Sequence, residues 1–347
     1  MQLRFLVILL LALVAVGCGG DGDTADSSTD VDQLLDDTFS GTKSIQSGKL
    51  SLALGLEAEG GQGPVSAKIS GPFQSEGEGR LPQVDLEGSF EGGGESLSGG
   101  VTATADAAYV SFGGNTYEVA GPVFEQFKAG YEQSAKEASG EKDQSLASLG
   151  IDPRRWLTNA TNEGEAKVGD TDTIKITGDV DVPKLLDDVN GALEKIRGLG
   201  VQGSEQIPDK LTEAEKQQTA EAIEDLSVEI YTGADDRILR RMVISLSLKM
   251  PEGATVGGAQ SADIRLDFQL LDVNEDQEIE APENAKPFAE LMKQLEGLGV
   301  GLDLGALGGS GAGGGEGPNV DEYSDCVQKN LGDNDAVRKC ADLLNSP

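Results

Sequence analysis

The chain contains no histidine. Ser-His-Asp and Cys-His catalysis both need an imidazole base, and so do His-based zinc and haem sites, so all of these are excluded. Positive charge is scarce, with 27 Lys and Arg against 61 Asp and Glu and a formal net charge of −34. Nucleic acid is held by clustered cations, so it is excluded as a partner, and electrostatic docking on anionic headgroups is disfavoured in the same way. The acidity reads as solubility outside the cell. Aromatic residues amount to 4%, with a single Trp, which argues against a sugar-stacking cleft. No GxSxG elbow occurs, and no serine sits in the context of a strained strand-to-helix turn. With 61 acidic residues, any pair of carboxylates is uninformative about acid–base chemistry. The chain therefore reads as a non-enzyme that needs no cofactor.

Long apolar runs are also missing. The greasiest stretch, Phe5 to Val16, follows a short segment with Arg4. It is too short for a permanent span, which takes ~20 residues. Residues 1–17 read instead as an export signal, to be set aside from fold reasoning. Its end, Ala15-Val16-Gly17-Cys18, resembles a bacterial lipobox, although Leu is commoner where Ala15 stands. That resemblance implies cleavage before Cys18 and diacylglycerol attachment to its sulfur, often with an N-acyl group such as palmitate. More than one chain is what stable anchoring requires. Residues 18–30, rich in Gly, Asp, Ser and Thr, read as an acidic tether without apolar period.

Cysteine is rare, and the three present sort themselves. Cys326 and Cys340 lie near the C-terminus and read as a disulfide in an exported protein, leaving Cys18 as the odd one for the lipid.

What is abundant is alternation. Val31, Leu34, Leu35 and Phe39 have helical spacing. From Leu50 to Leu56 every second residue is Leu, the pattern of a half-buried strand. Val65–Ile69, Val84–Phe90 and, more weakly, Val101–Ala105 follow suit. Ala107–Phe112 and Thr116–Val119 predict a hairpin about Gly113-Gly114-Asn115. A helix is predicted after Pro122, with Val123, Phe124, Phe127 and Tyr131 on one face. A short one holding Trp156 and Leu157 is predicted after the N-cap Asp152. Strands return over Glu163–Val182. Pro183 then opens a helix with the stripe Leu185, Leu186, Val189, Leu193 and Ile196. Thr212-Glu-Ala-Glu215 has the form of a capping box for a helix reaching about Leu226. Three long strands close the block around Leu226–Ile230, Met242–Met250 and Ile264–Leu270, and a helix is predicted near Pro287–Leu298. One-faced strands mixed with helices predict an α+β domain over 31–298, a curved antiparallel sheet wrapped over a few helices.

Residues 299–318 are half Gly and read as a linker. GSGAGG within it matches a dinucleotide fingerprint but follows no strand, so it carries no meaning. Residues 319–347 read as a small helical hairpin stapled by Cys326–Cys340. Asp272, Asn274, Asp276, Glu278 and Glu283 fall at calcium-loop positions. Gln277 stands where glycine is required and Pro282 precedes the last ligand, so the run reads as a solvated connection and no metal site is expected.

Several short motifs resemble the LolA/LppX-like actinobacterial lipid-carrier lipoproteins, of the LppX, LprA, LprF and LprG type. These are Lys49-Leu-Ser-Leu-Ala-Leu54, Ala108-Tyr-Val-Ser-Phe112 with Thr116-Tyr-Glu-Val119, Asp152-Pro-Arg-Arg-Trp-Leu157, Asp179-Val-Asp-Val-Pro-Lys-Leu-Leu186, Asp236-Arg-Ile-Leu-Arg-Arg241, and Leu271-Asp-Val-Asn274 leading to Ala281-Pro282. The resemblance spans about residues 31–297. It implies a strongly curved, open antiparallel half-barrel with helices on its concave side. It implies, too, a hydrophobic cavity for the acyl chains of a lipid or acylated glycolipid, carried at the extracytoplasmic face of the membrane. The expected lining is Leu54, Leu56, Ile244, Leu246, Leu266 and Phe268 from strands, with Phe124, Phe127 and Leu186 from helices. The linker and hairpin depart from the simplest members. They leave open an alternative, a structural or interaction lipoprotein with a filled core that recruits a protein partner through residues 319–347.

Overall fold

The computed structural model describes residues 30–40, 43–59, 63–77, 79–138, 152–198, 210–249 and 259–297. The export signal, Cys18, the linker and the hairpin with Cys326 and Cys340 lie outside them.

Twelve strands form one mostly antiparallel sheet. They are β1 (Ser47–Glu59), β2 (Val65–Gln74), β3 (Gln83–Gly92), β4 (Glu95–Ala103), β5 (Ala108–Phe112), β6 (Asn115–Glu118), β7 (Leu157–Val168), β8 (Thr171–Val180), β9 (Ile223–Gly233), β10 (Leu239–Lys249), β11 (Ser261–Leu271) and β12 (Lys286–Pro287). The hydrogen-bonded order is β12-β6-β5-β4-β3-β2-β1-β11-β10-β9-β8-β7. The short pairing of β12 with β6 is parallel. The helices are α1 (Val31–Phe39), α2 (Gly121–Ala138), α3 (Pro153–Trp156), α4 (Val182–Gly198), α5 (Glu213–Ala222) and α6 (Phe288–Gly297). The α+β class follows. None of the described helices is long and apolar enough to cross a membrane.

The chain divides into two compact units, and two of the boundaries between them cut β3 and β4. The first takes Met1–Gln74, Leu86–Ser98 and Glu141–Gln277. Its core joins α1 and α3 to the sheet: Leu34, Leu35 and Phe39 pack with Trp156, Leu157, Ile176, Val228, Ile230 and Met242. Asp30 caps α1 by accepting the Asp32 amide at 3.0 Å. Asp152 caps α3 in the same way, and the Thr212–Glu215 capping box at α5 is complete.

The second unit takes Ser75–Asp85, Gly99–Gly140 and Glu278–Pro347. There Tyr117 and Leu291 are buried, with Val110, Phe112 and Phe288 packed against them, so α6 covers the β5–β6 hairpin. That hairpin turns through Gly113 at φ +57° and Gly114 at φ +75°, a left-handed pair that glycine adopts without a Cβ clash.

Three boundaries differ from the sequence reading. The α5 helix stops at Ala222 rather than Leu226, because Leu226 is in phase with Val228 and Ile230 and the sheet claims all three. Leu157 ends α3 and opens β7, which begins well before Glu163. The weak strand at Val101 extends back to Glu95, through residues whose only reason to be extended is a neighbouring strand.

Candidate functional site

Strand register turns the alternation of the first unit into rows. Ile69, Leu52, Phe268, Met242, Ile230 and Ile176 are successive cross-strand partners on β2, β1, β11, β10, β9 and β8. The next row is Ala67, Leu54, Leu266, Ile244, Val228 and Gly178. A third is Val65, Leu56, Ile264, Leu246 and Leu226. Directly opposed residues share a face, so these rows make one continuous apolar surface. No residue in them is ionisable.

Burial across this face is uneven. Where α1 and α3 cover it, Ile176 and Ile230 are fully buried and Val228 is 2% exposed. Away from that corner, Leu54, Leu56, Ile264, Leu266, Phe268, Leu246 and Leu226 are only half-buried. The strand residues expected to line a cavity therefore all lie on one face of three adjacent strands, β1, β11 and β10. Of the helical candidates, Leu186 is buried on α4 in the first unit. Phe124 (buried) and Phe127 (46% exposed) belong to α2 in the second. Val65, Ile264 and Leu226 extend the third row although the sequence reading did not single them out for it. Their period-two signal was visible, whereas the register that aligns them was not.

The opposite face of the same strands is polar and ionic. Lys175 lies 2.5 Å from Glu229, and the Tyr231 hydroxyl donates to Glu229 at 3.0 Å. Arg241 makes a two-pronged contact with Asp267, Nε at 2.9 Å and Nη2 at 2.5 Å. Lys175 and Arg241 both stand over the Tyr231 ring, 5.6 and 5.7 Å from its centroid. The Lys175 hydrogen bond, reinforced by Tyr231 and by the nearby cations, holds the Glu229 carboxyl below its usual range despite partial burial. For Asp267 burial favours the neutral acid, but the bonds from Arg241 and Gln269 together with the nearby guanidinium charges outweigh it, and its pKa falls. The ladder fixes β8 to β11 in register from outside.

Polar pins hold the covering helices. The buried Asp188 of α4 accepts the Asp152 amide at 2.8 Å, and Arg155 Nη1 lies 2.8 Å from its other oxygen. Arg154 is fixed by Asp152 and reaches Asp36 of α1 at 3.3 Å. Thr38 of α1 bonds Thr232 at 2.8 Å. In the β9–β10 turn, buried Arg240 pairs with Asp236 at 2.6 Å, and a Cβ on Gly233 would come within 2.1 Å of Asp236 Oδ1.

The calcium-like run has a different job. Asn274, at φ +62°, accepts the Gln46 amide at 2.7 Å and donates to Ser44 at 3.0 Å. Asp272 pairs with Lys49 at 2.7 Å. The run closes the exit of β11 onto the entry of β1. Among the described residues, no group of three or more acidic or Cys side chains comes together as a metal site.

The chain is similar to LprF from Mycobacterium bovis at 15% identity over 74% of this chain and 99% of that one, with a TM-score of 0.37. It is similar to the lipoprotein LppX of Mycobacterium tuberculosis at 13% identity over 72% and 100%, with a TM-score of 0.33. A putative outer-membrane lipoprotein-sorting protein domain from Vibrio parahaemolyticus follows at 7% identity over 67% and 87%, with a TM-score of 0.16. No family model and no curated protein matches the chain.

Proposed function

We propose that this chain is a lipid-binding lipoprotein of the cell envelope. It takes acyl chains of a lipid or acylated glycolipid on the apolar face of β1, β11 and β10 and carries or shields them outside the cytoplasm. Lipid on Cys18 anchors it at the extracytoplasmic face of the membrane. One observation carries the reading: three registered apolar rows, free of ionisable groups, are sealed by helices at one corner and, apart from the buried Leu52, left only partly buried elsewhere. These Leu and Ile are less sealed than their counterparts at the corner, and a hydrocarbon chain laid over them gains about 0.8 kcal/mol for each CH₂ removed from water. Leu54, Leu56, Ile244, Leu246, Leu266 and Phe268 are the contacts of this site, with Leu186 as a helical contributor from the same unit. Nothing in this role requires catalysis or a cofactor.

The test is native mass spectrometry of the Cys18→Ser chain, purified from a lipid-containing host, before and after solvent extraction. An extra mass that disappears on extraction and fragments as an acylated lipid supports the reading. A clean apo mass, with no uptake of added acyl lipid, overturns it in favour of a filled core acting through residues 319–347.

A further inference from the structure

The apolar face continues beyond β2 within the same unit. Gly92 ends β3, and a Cβ there would meet the Val65 methyls and the Phe90 ring at 3.1 to 3.2 Å. Gly92, Phe90 and Val65 therefore share a face, the one that carries the three rows. Between β3 and β4 the turn is two residues long, with Gly93 at φ +63° and Gly94 at φ +80°. Such a turn sets Gly92 opposite Glu95, and pairing in steps of two then sets Phe90 opposite Leu97 on the same face. The same register puts Asp85 opposite Thr102, and their side chains do bond, at 2.8 Å. Leu97 thus ends the apolar surface, and Leu86–Ser98 belong to the first unit together with the rows.

Exposure rises along this surface. Val228 at the α1–α3 corner is 2% exposed, and Ile244, Leu266 and Leu54 are half-buried. Leu97 is 55% exposed, more than any other large apolar side chain among the described residues. A surface sealed at one end and open at the other takes a long apolar molecule end-on. The end that goes to the corner is the hydrocarbon one. No row residue carries a polar side chain, so an ester placed there would lose its water without gaining a partner. We infer, on the lipid-binding reading, that the acyl chain lies with its methyl end toward the corner and its ester end at the β3–β4 hairpin, where Phe90 and Leu97 form the mouth of the site. The head group then stays in water and keeps its hydrogen bonds to solvent, while the chain supplies the affinity.

The single tryptophan reports which end is which, because Trp156 is 1% exposed and packs with Val228 and Ile230 in the corner. The Cys18→Ser chain is titrated with methyl stearate carrying a doxyl quencher either next to the ester or next to the terminal methyl. Uptake of each probe is measured separately by native mass spectrometry. The expected result is that the methyl-end label quenches Trp156 fluorescence several-fold more than the ester-end label at equal occupancy. Leu97→Asp, altered only at an exposed position, weakens uptake of both probes several-fold, leaves the circular dichroism spectrum unchanged and preserves the order of quenching. Equal quenching, or stronger quenching by the ester-end label, overturns the orientation and leaves lipid binding standing. Unaltered uptake by Leu97→Asp overturns the mouth at the hairpin. Failure of the unaltered face to take up either probe removes the lipid-binding reading, and this inference with it.

Discussion

Two parts of one apolar face, made of the same residue types, have different fates. At the corner beneath α1 and α3, Ile176, Ile230 and Val228 are sealed among Leu34, Leu35, Phe39 and Trp156. On β1 and β11, and in the third row, Leu54, Leu56, Ile264, Leu266 and Leu246 remain half-buried. Composition does not distinguish the two; the cover does. The cover at the first is built from side-chain pins, Thr38 to Thr232, Arg154 to Asp36 and Asp188 to the Asp152 amide. A sealed apolar row stabilises the fold, and a half-buried one is where the proposed function places the ligand.

The strongest way to break this comparison is Ile230→Ala. It leaves a cavity under α1 and costs about 2–5 kcal/mol of stability, read as a drop in denaturant midpoint. If the loss is no larger than that of a half-buried residue, the sealed corner is not what it is argued to be. Leu246→Ala is the counterpart. Its stability cost stays below about 1.5 kcal/mol because less area returns to water, while affinity for an acyl probe drops several-fold. A loss of stability without any loss of binding moves Leu246 into the core. Thr212→Ala serves as a control remote from both parts: it removes the α5 cap, costs about 1 kcal/mol, and leaves probe binding unchanged.

The smallest effect is on acid sensitivity. Glu229 and Asp267 both have folded pKa values below their ordinary 4.5 and 3.8. Their contribution is fully present above those ordinary values and is lost as pH falls through the lowered ones. Acid titration followed by circular dichroism therefore shows a shallower loss for Asp267→Asn than for the unaltered chain. An identical acid limb in the two means that the outer ladder does not hold the sheet.

Much of the fold was legible because alternation and caps are local. Leu50 to Leu56, Ile264 to Leu270, the capping box at Thr212 and the Asp152 cap need only their neighbours to declare themselves. Pairing was not legible. Nothing near Leu54 announces Leu266 as its partner, and the end of α5 was misplaced because Leu226 fits a helix and a strand equally until β10 supplies a ladder. The candidate site was half legible for the same reason. Its residues were visible as apolar positions, but which of them share a row with a covering helix depends on contacts far along the chain. The acidic run after β11 looked like a ligand set because Asp and Asn serve turns and cations alike. Its left-handed Asn274 and the bond to Gln46 show the turn.

That last bond joins residues 228 positions apart and closes the seam between β1 and β11. The middle of the sheet thus waits for its penultimate strand. Until the chain has emerged as far as Leu271, β1 lacks one of its two neighbours, and so high a contact order makes for slow folding. A polypeptide that cannot complete its core early stays extended and threadable late in its synthesis.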